Sequence, residues 1–473
     1  MKIIRTVLFI NAFFLFAGGC FSQDLQRVEG VWLGYLKVQS MELRIVLNVT
    51  RNEKDSVTAT IDSPDQGAKG MNVNDISLKG DSLIFHVSSI SGTYTGILKD
   101  KHIEGIWKQM SSMLPLNFDK TDNAPEMRRM QEPVPPFPYK VENVYFENKT
   151  DNVKLAGTLT LPESAVTSPA LILISGSGPQ DRDEFILGHK PFFVLADFLT
   201  RNGIAVLRYD DRGTGESTGK YSEATTKDFA ADARAALQFM KNHKAIDSRH
   251  IGLVGHSEGG LIAPMIASES NDVAFIVMLA GPGLNGEEIL YLQSELIARA
   301  EGENESDIKK ALEASKKIWD IAREDYKYEK LVKKIQKVYM EYIDKMTEEE
   351  KQKAGLTPAN ITAGIQQVLS PWFRYFLSYD PVPALKKVKC PVLALYGEKD
   401  LQVPPRQNIE AVRKALIKGG NKNIVVEEIE NLNHLFQYSQ TGSPSEYSKI
   451  EETFNIKALE IISGWIKTQL LRK

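Results

Sequence analysis

The chain contains 473 residues, of which 42% are hydrophobic and 25% are charged, and its formal net charge is −3. This length and composition are typical of a globular protein with two or three domains. The nearly balanced charge excludes a general attraction to nucleic acid or to an anionic membrane, and the sequence carries no nucleic-acid-binding signature. The metal-binding patterns C-x-x-C and H-E-x-x-H are also absent from the sequence. We therefore expect no metal ion and no other cofactor.

Residues 1–22 are predicted to be a signal peptide. The basic start MKIIR is followed by the apolar run VLFINAFFLFAGG, which is too short to cross a bilayer comfortably as a permanent helix. Two ways of processing remain open. The segment AGGC resembles a bacterial lipobox in which Cys20 would carry a lipid anchor, whereas cleavage after Ser22 would release a soluble protein. In both cases we expect export to the bacterial envelope, with membrane contact only through a lipid on Cys20.

Residues 24–122 are predicted to form an all-β domain, either a small sandwich or a barrel. Short runs rich in β-branched and aromatic residues alternate there with turn-forming clusters such as RNEKD and KGDS. The runs are VWLGYLKV, ELRIVLNVT, SVTATI, SLIFHVSS, TYTGILK and HIEGIW. The similar segments EGVW and EGIW either belong to neighbouring strands that close a barrel or are a coincidence. The domain carries no catalytic constellation, which favours a packing or substrate-presenting role over specific ligand binding.

Residues 123–143 are predicted to be a linker, because QEPVPPFPYK is dense in proline and therefore extended. From 144 to 473, apolar runs alternate with helical patterns, which predicts an α/β domain with a mostly parallel sheet covered by helices on both faces. The predicted strands are KLAGTLTLP, PALILISG, IAVLRYD, HIGLVGHS, AFIVMLAG, PVLALYG and IVVEEIE. Residues 285–379 break the alternation, since they are highly charged and helical in pattern. We expect them to form a helical cap insertion over the functional site.

The segment GHSEGG, residues 255–260, directly follows a predicted buried strand. It fits the pattern G-x-S-x-G, in which a serine lies on a sharp turn between a strand and a helix with its hydroxyl exposed. Glycines suit this turn because a side chain would collide where strand and helix approach closely. We therefore predict that Ser257 is a catalytic nucleophile.

A serine hydroxyl needs a neighbouring base to accept its proton, and an imidazole is suited to that role. Of the seven histidines, only His434 follows Ser257 in the chain, as the order nucleophile, acid, base requires for this type of turn. His434 lies beyond the last predicted strand and is the predicted base. The predicted acid is Asp400, which follows the strand PVLALYG at the edge where open α/β sheets form their sites. Glu398 in the same turn is the alternative.

Two backbone N–H groups are expected to bind the oxyanion that develops during acyl transfer. One is the N–H of Glu258, the residue after the nucleophile. The other is expected in the glycine-containing loop SGSGPQDRDE, where we favour Ser177 and keep Gly176 and Gly178 as alternatives. The charged residues of the same loop are predicted to form a local network that shapes it, with substrate contact as the alternative.

Five ordered motifs in the C-terminal part resemble those of a known family. They are GSGPQDRD, RYDDRGTGES, GHSEGG, GEKD and the dipeptide NH that contains His434. In these motifs, residues 144–473 resemble the α/β-hydrolase superfamily, and within it the secreted bacterial esterases related to dienelactone hydrolases and serine aminopeptidases. The N-terminal β-module adds to this resemblance. The resemblance implies an α/β-hydrolase fold and a structural role for the turn Asp210–Gly213. The long charged insertion departs from the family pattern and leaves cap geometry and substrate size open.

The expected function is hydrolysis of a small-molecule carboxylic ester through an acyl-enzyme intermediate, with Ser257, His434 and Asp400 as the catalytic triad. Two alternatives remain open. One is a peptidase that acts on small peptides able to enter under the cap, and the other is a non-catalytic envelope protein whose β-domain binds a ligand. Acyl length, leaving group and oligomeric state are left open by the sequence.

Overall fold

The computed structural model describes residues 25–38, 41–51, 57–66, 68–109, 112–122, 129–163, 167–344, 346–347, 351 and 358–471. The predicted signal peptide and Cys20 lie outside these residues, so export and lipid anchoring stay predictions. The chain divides into two compact units, one that contains the N-terminal sheet and one that contains residues 126–473. No helix within the described ranges combines the length and the apolar character that a membrane crossing requires.

The N-terminal unit is a ten-stranded antiparallel sheet. Its strands are β1 (Gly30–Val38), β2 (Met41–Arg51), β3 (Val57–Ser63), β4 (Ala68–Asn72), β5 (Asp75–Lys79), β6 (Ser82–Val87), β7 (Gly92–Lys99), β8 (His102–Gln109), β9 (Ser112–Pro115) and β10 (Phe118–Thr121). Their order is β4-β3-β2-β1-β10-β8-β7-β6-β5, and β9 pairs with β8. The strands of EGVW and EGIW, β1 and β8, are not neighbours, because β10 pairs with both of them. Their similarity therefore does not arise from direct pairing that closes a barrel.

Aromatic side chains fill the core of this unit. In β6 every second residue is buried, as the two-residue period of a strand requires. Phe85 stacks on Tyr94 with 4.8 Å between ring centroids, and Tyr94 meets Phe118 edge-on at 5.2 Å. The Tyr94 hydroxyl donates to the backbone oxygen of Leu116 at 3.0 Å, so the polar end of this buried ring is satisfied. The predicted all-β fold of this region is confirmed.

The second unit contains an eight-stranded mixed sheet with the order β11-β12-β14-β13-β15-β16-β17-β18. These strands are β11 (Tyr139–Asn148), β12 (Val153–Pro162), β13 (Ser168–Ile174), β14 (Ala205–Tyr209), β15 (Ile246–His256), β16 (Phe275–Leu279), β17 (Val392–Gly397) and β18 (Ile424–Ile429). The strands from β13 to β18 run parallel to one another, whereas β12 is antiparallel to both β11 and β14. The mostly parallel sheet is therefore confirmed. The predicted linker 123–143 extends too far, because β11 begins at Tyr139 and pairs along its whole length with β12.

Helices cover the sheet and form the insertion. They are α1 (Pro191–Arg201), α2 (Thr226–Lys241), α3 (Gly259–Ala267), α4 (Gly286–Ala300), α5 (Glu305–Arg323), α6 (Tyr328–Ile343), α7 (Pro358–Val368), α8 (Pro371–Ser378), α9 (Val382–Leu385), α10 (Pro405–Lys418) and α11 (Ile456–Leu470). Helices α4 to α8 lie between β16 and β17 and form the predicted helical cap. Its apolar core includes Trp319, Ile335 and Phe373, which are all buried. The charged residues between these apolar positions face outward, as on an amphipathic helix.

A close approach of strand and helix fixes the turn at Ser257. β15 ends at His256 and α3 begins at Gly259, and between them Ser257 has a φ of 51°, in the left-handed region that side-chain-bearing residues seldom adopt. A Cβ on Gly255 would lie 1.9 Å from the carbonyl oxygen of Gly259. A Cβ on Gly259 would lie 2.1 Å from the carbonyl oxygen of Ile174, at the end of β13. Backbone packing therefore excludes a side chain at both glycines of the pattern.

Replacing Gly259 with alanine should destabilise the protein by about 3 kcal/mol or more, because the new methyl group meets backbone atoms that cannot rotate away. Gly464→Ala is the matched control. Gly464 lies in α11 with no atom within 4 Å of a built Cβ, so alanine there should stabilise the helix by about 0.5–1 kcal/mol. Urea denaturation measures both changes, and a Gly259→Ala midpoint equal to that of the wild type would contradict the packing argument.

Candidate active site

The three residues of the predicted triad each follow a strand of the parallel sheet. Ser257 follows β15, Asp400 follows β17 and His434 follows β18. Strands β15 to β18 are neighbours in this order and run in the same direction. Their carboxyl ends therefore lie at one edge of the sheet, where α/β proteins form their sites, and loops far apart in sequence meet there.

The predicted acid and base are in direct contact. His434 Nδ1 and Asp400 Oδ2 are 2.8 Å apart, and the two side chains are only 4% and 0% exposed. The other carboxylate oxygen, Asp400 Oδ1, accepts the backbone N–H groups of Gln402 and Val403, both at 2.8 Å. Glu398 is exposed and instead accepts the N–H of Asn431 at 2.8 Å. The structure thus brings Asp400, and not the alternative Glu398, to the imidazole.

Ser257 lies beside this pair without a hydrogen bond to it. The residue before it, His256, contacts the backbone oxygen of His434 through Nε2 at 3.0 Å, and the two imidazole rings are 4.8 Å apart. Within the described residues, no hydrogen bond joins the Ser257 hydroxyl to another group, including His434. Catalytic hydrogen bonds often tighten only when substrate binds. The structure therefore brings the three residues to one site. Of the two hydrogen bonds that the predicted triad requires, only the one between His434 and Asp400 is formed.

Two N–H groups from different loops at the Ser257 cavity have no acceptor among the described residues. In the loop after β13, the N–H of Gly176 donates to Glu184 at 2.7 Å, and the N–H of Gly178 donates to the Tyr221 hydroxyl at 2.8 Å. Within the described part of the chain, the N–H groups of Ser177 and Glu258 donate to no protein acceptor. Both are thus available to a ligand, whereas the alternatives Gly176 and Gly178 are engaged.

Ion pairs shape the loop that carries Ser177. Arg182 binds both carboxylate oxygens of Asp210, at 3.0 and 2.6 Å, and Asp183 pairs with the buried Arg208. Burial alone would raise the pKa of Asp210, but the Arg182 guanidinium and backbone N–H groups hold it below its usual value. The charged residues of this loop therefore form ion pairs with the carboxyl end of β14 and with the turn that follows it. This is the local network that the sequence predicts.

A small cavity opens at Ser257 beneath the cap. Its volume is about 220 Å³, below the roughly 300 Å³ at which pockets for drug-sized ligands begin. Its walls include the apolar side chains of Ile289 from α4 and of Trp372 and Phe376 from α8, and both Ser177 and Ser257 line it. A larger cavity of about 500 Å³ lies along α4, α5 and α6 and contains none of the predicted site residues. The smaller cavity is therefore the one that gives access to Ser257.

The Glu258 side chain has a role that the sequence did not predict. Its carboxylate accepts the Thr226 hydroxyl at 2.6 Å and the indole N–H of Trp372 at 2.9 Å. Burial raises the pKa of this carboxyl to about 7, although both hydrogen bonds act in the opposite direction. Glu258 therefore links the turn at Ser257 to the cap. A charged side chain directly after the predicted nucleophile was the available signal, but its partner in the insertion could not be read from the sequence.

The described residues contain no cluster of three or more His, Cys, Asp or Glu side chains with the spacing needed to hold a metal ion. Cys390 is a free thiol, partly buried beneath the surface, and burial raises its pKa to about 12. It lies before β17, outside the group of residues around Ser257.

Comparison with known proteins agrees with this fold. The family model described as serine aminopeptidase, S33, matches residues 190–370, which include Ser257 and most of the cap but neither Asp400 nor His434. Esterase EstD of Thermotoga maritima is 28% identical over 336 residues, which are 70% of this chain and 69% of that protein. An uncharacterised 31.7 kDa protein of Escherichia coli is 24% identical over 267 residues, 56% of this chain and 84% of its own length.

Solved structures also align with the chain. An esterase of Pyrococcus furiosus, Pf2001, covers 70% of this chain and 91% of its own, with 18% identity and a TM-score of 0.42. Est1E of Butyrivibrio proteoclasticus, solved with ferulic acid, covers 69% of this chain and 98% of its own, with 17% identity and a TM-score of 0.39.

The sheet order and the turn at Ser257 are those of an α/β-hydrolase fold, and the sequence relatives resemble that superfamily. The chain carries an additional N-terminal β-sheet unit.

Glu258→Gln should remove a pH-dependent component of stability. The carboxyl has a pKa of 4.5 in its ordinary state and of about 7 in the fold, so the folded protein holds the proton more tightly. The resulting stabilisation is complete below about pH 4.5 and is lost as pH rises through about 7, and it amounts to about 3 kcal/mol. Glutamine cannot ionise but keeps a carbonyl acceptor for Trp372.

We therefore expect the stability of Glu258→Gln, relative to the wild type, to increase by up to about 3 kcal/mol across this pH range. Urea denaturation at a series of pH values measures the difference. The control is Glu269→Gln at an exposed site, which should show no such increase. A difference for Glu258→Gln that is constant with pH would contradict the raised pKa.

Proposed function

We propose that the protein hydrolyses carboxylic esters with small acyl groups through an acyl-enzyme intermediate. The observation that carries the proposal is the hydrogen bond of 2.8 Å between the buried His434 and Asp400, at the sheet edge that also bears the left-handed Ser257. A carboxylate that orients an imidazole beside a serine is the arrangement that serine hydrolases use on several unrelated folds. The relation to an esterase of Thermotoga maritima supports the same reaction class.

In the first half of the proposed reaction, the imidazole of His434 accepts the Ser257 proton at Nε2 while the serine oxygen attacks the ester carbonyl carbon. Asp400 accepts the Nδ1–H of the imidazole, which keeps the basic nitrogen free and stabilises the imidazolium that forms. The carbonyl oxygen becomes an oxyanion and accepts the unpaired N–H groups of Ser177 and Glu258. A donor of this kind typically lowers the barrier by about 3 kcal/mol.

In the second half, the imidazolium of His434 gives its proton to the leaving alkoxide, and the alcohol departs with the C–O bond of the ester broken. A water molecule then attacks the acyl group on Ser257 and gives its proton to His434. The second tetrahedral intermediate collapses, the serine oxygen recovers the proton, and the acid is released. No step requires a redox partner or a metal.

A second candidate reaction is hydrolysis of short peptides, which the serine aminopeptidase family model favours. The same residues can serve amide hydrolysis, in which His434 would protonate an amine instead of an alkoxide. p-Nitrophenyl acyl esters and aminoacyl-anilides assayed in parallel separate the two activities. Higher kcat/KM on the esters supports the proposal, and higher kcat/KM on the anilides would replace it with the peptidase.

Substitutions in the proposed triad should lower kcat by different factors. We expect Ser257→Ala to lower kcat by a factor on the order of 10⁶ and Asp400→Asn by a factor on the order of 10⁴, because the asparagine favours the wrong tautomer of His434. Glu398→Gln is the matched control for the acid, since it changes the alternative carboxylate of the same turn, and it should leave kcat unchanged.

Labelling with a fluorophosphonate probe reports on Ser257 without an assumption about substrate. The wild type should be labelled and Ser257→Ala should not. A purified protein that binds a ligand yet shows neither labelling nor Ser257-dependent turnover would instead support the non-catalytic binding function. Loss of activity in Glu398→Gln but not in Asp400→Asn would overturn the assignment of the acid.

The cavity beneath the cap should limit acyl length. Phe376→Ala removes an aromatic wall of the cavity of about 220 Å³, so the ratio of kcat/KM for octanoyl over butyryl esters should rise about ten-fold or more. Tyr375→Ala on the same helix is the control, because Tyr375 stacks on Tyr379 outside this cavity. An unchanged ratio in Phe376→Ala would mean that the acyl chain binds elsewhere.

A further inference from the structure

Both ring nitrogens of the buried His256 face hydrogen-bond acceptors. Nδ1 lies 2.8 Å from Glu184 Oε1, and Nε2 lies 3.0 Å from the backbone oxygen of His434. A neutral imidazole carries a proton on only one of its nitrogens, so it can donate to only one of these oxygens. Two donated hydrogen bonds therefore require the imidazolium form, with the Glu184 carboxylate as its counter-charge.

The charge balance of this pair agrees with the geometry. His256 and Glu184 are 5% and 1% exposed, and a buried charge is strongly disfavoured without a partner. Burial alone would lower the pKa of His256, but the Glu184 carboxylate and the His434 carbonyl oxygen together raise it. Glu184 itself is held at a φ of 53°, a left-handed conformation that is uncommon for a residue with a side chain. The fold thus tolerates strain at the residue that supplies the counter-charge.

Glu184 and His256 join the three loops of the proposed reaction. Glu184 Oε1 also accepts the N–H of Gly176 at 2.7 Å, and Gly176 directly precedes the donor Ser177. His256 directly precedes Ser257, and its second hydrogen bond ends on the backbone of the base itself. A Cβ built on Gly176 would lie 3.3 Å from the Cβ of Ser257, so the space between the two loops is too narrow for an added side chain here.

We propose that His256, kept as an imidazolium by Glu184, is a positioning residue that fixes the base loop and the oxyanion loop relative to Ser257. The role rests on the proposed function, and His256 acts through its neighbours rather than on the substrate. Loss of either hydrogen bond frees the His434 backbone or the Gly176 loop to move. A displacement of about 1 Å in such a site lowers the rate by about 100-fold, while the substrate cavity formed by the cap is unchanged.

Kinetics of two variants separate positioning from plain structural support. His256→Gln removes the doubly donating ring, and Glu184→Gln keeps an acceptor for Gly176 but removes the counter-charge. Both should lower kcat between about 10-fold and 100-fold with little change in KM. His250→Gln is the matched control, because His250 lies on the same strand but outside the site. Its Nδ1 is 2.9 Å from Asp247 Oδ2. Its kinetics should equal those of the wild type.

Nitrogen NMR of the histidine side chains tests the charge state directly and does not depend on turnover. At pH 7.5, above the ordinary histidine pKa of about 6.5, His256 in the wild type should carry protons on both ring nitrogens. In Glu184→Gln one of these protons should be lost. The His256→Gln spectrum assigns the signals. If that variant folds poorly, the ring signals that change in Glu184→Gln assign them instead, because Glu184 contacts the His256 ring.

A neutral His256 in the wild type at pH 7.5 would overturn the proposal. An unchanged kcat in both variants, when they are folded, would also overturn it. In that case the proposed hydrolysis would stand, because the wild type would still turn over substrate. A wild type without any Ser257-dependent turnover would overturn the proposed function and the positioning role together. A fall in kcat with constant KM in both variants, accompanied by the doubly protonated ring, is the expected result.

Discussion

The hydrogen bond between His434 and Asp400 depends on where two parallel strands end. β17 and β18 pair from Val392↔Ile424 through Gly397↔Ile429, so their loops leave the sheet at the same level. Two N–H groups of its own turn hold one oxygen of Asp400, which leaves the other to face the imidazole. A one-residue shift of either strand would turn its side chains to the opposite face, and acid and base would separate. The sheet register is therefore the first requirement of the proposed chemistry.

Ionisable groups crowd the turn at Ser257, and the structure limits the net charge there. Glu184 and His256 compensate each other as a buried ion pair. Glu258 has only the neutral donors Thr226 and Trp372 among its described contacts, and burial raises its pKa to about 7. An ionised carboxylate on the residue that supplies an oxyanion donor would oppose the negative charge that develops there. The burial that keeps Glu258 largely protonated below neutral pH therefore also favours the proposed transition state.

Features that are local in the chain could be predicted from the sequence, and features that depend on distant contacts could not. GHSEGG carries its glycines and serine within six residues and directly follows an apolar run, and His434 is the single histidine after it. The sequence could not distinguish Ser177 from its two glycine neighbours, because the groups that occupy their N–H bonds, Glu184 and Tyr221, come from other parts of the fold. In the fold, β10 was missed because it has only four residues. β11 was missed because it directly follows the proline-rich segment.

The cap is coupled to the turn that carries Ser257 by a specific hydrogen bond in addition to apolar packing. Trp372 stacks on Phe376 with 5.3 Å between ring centroids, and both rings line the cavity at Ser257. The indole of Trp372 also donates to Glu258, whose backbone N–H is a proposed oxyanion donor. A movement of α8 would therefore change the shape of the cavity and the position of that donor together. Contacts between the acyl group and the cap can in this way stabilise the transition state as well as the bound substrate, which is the condition under which binding energy raises kcat.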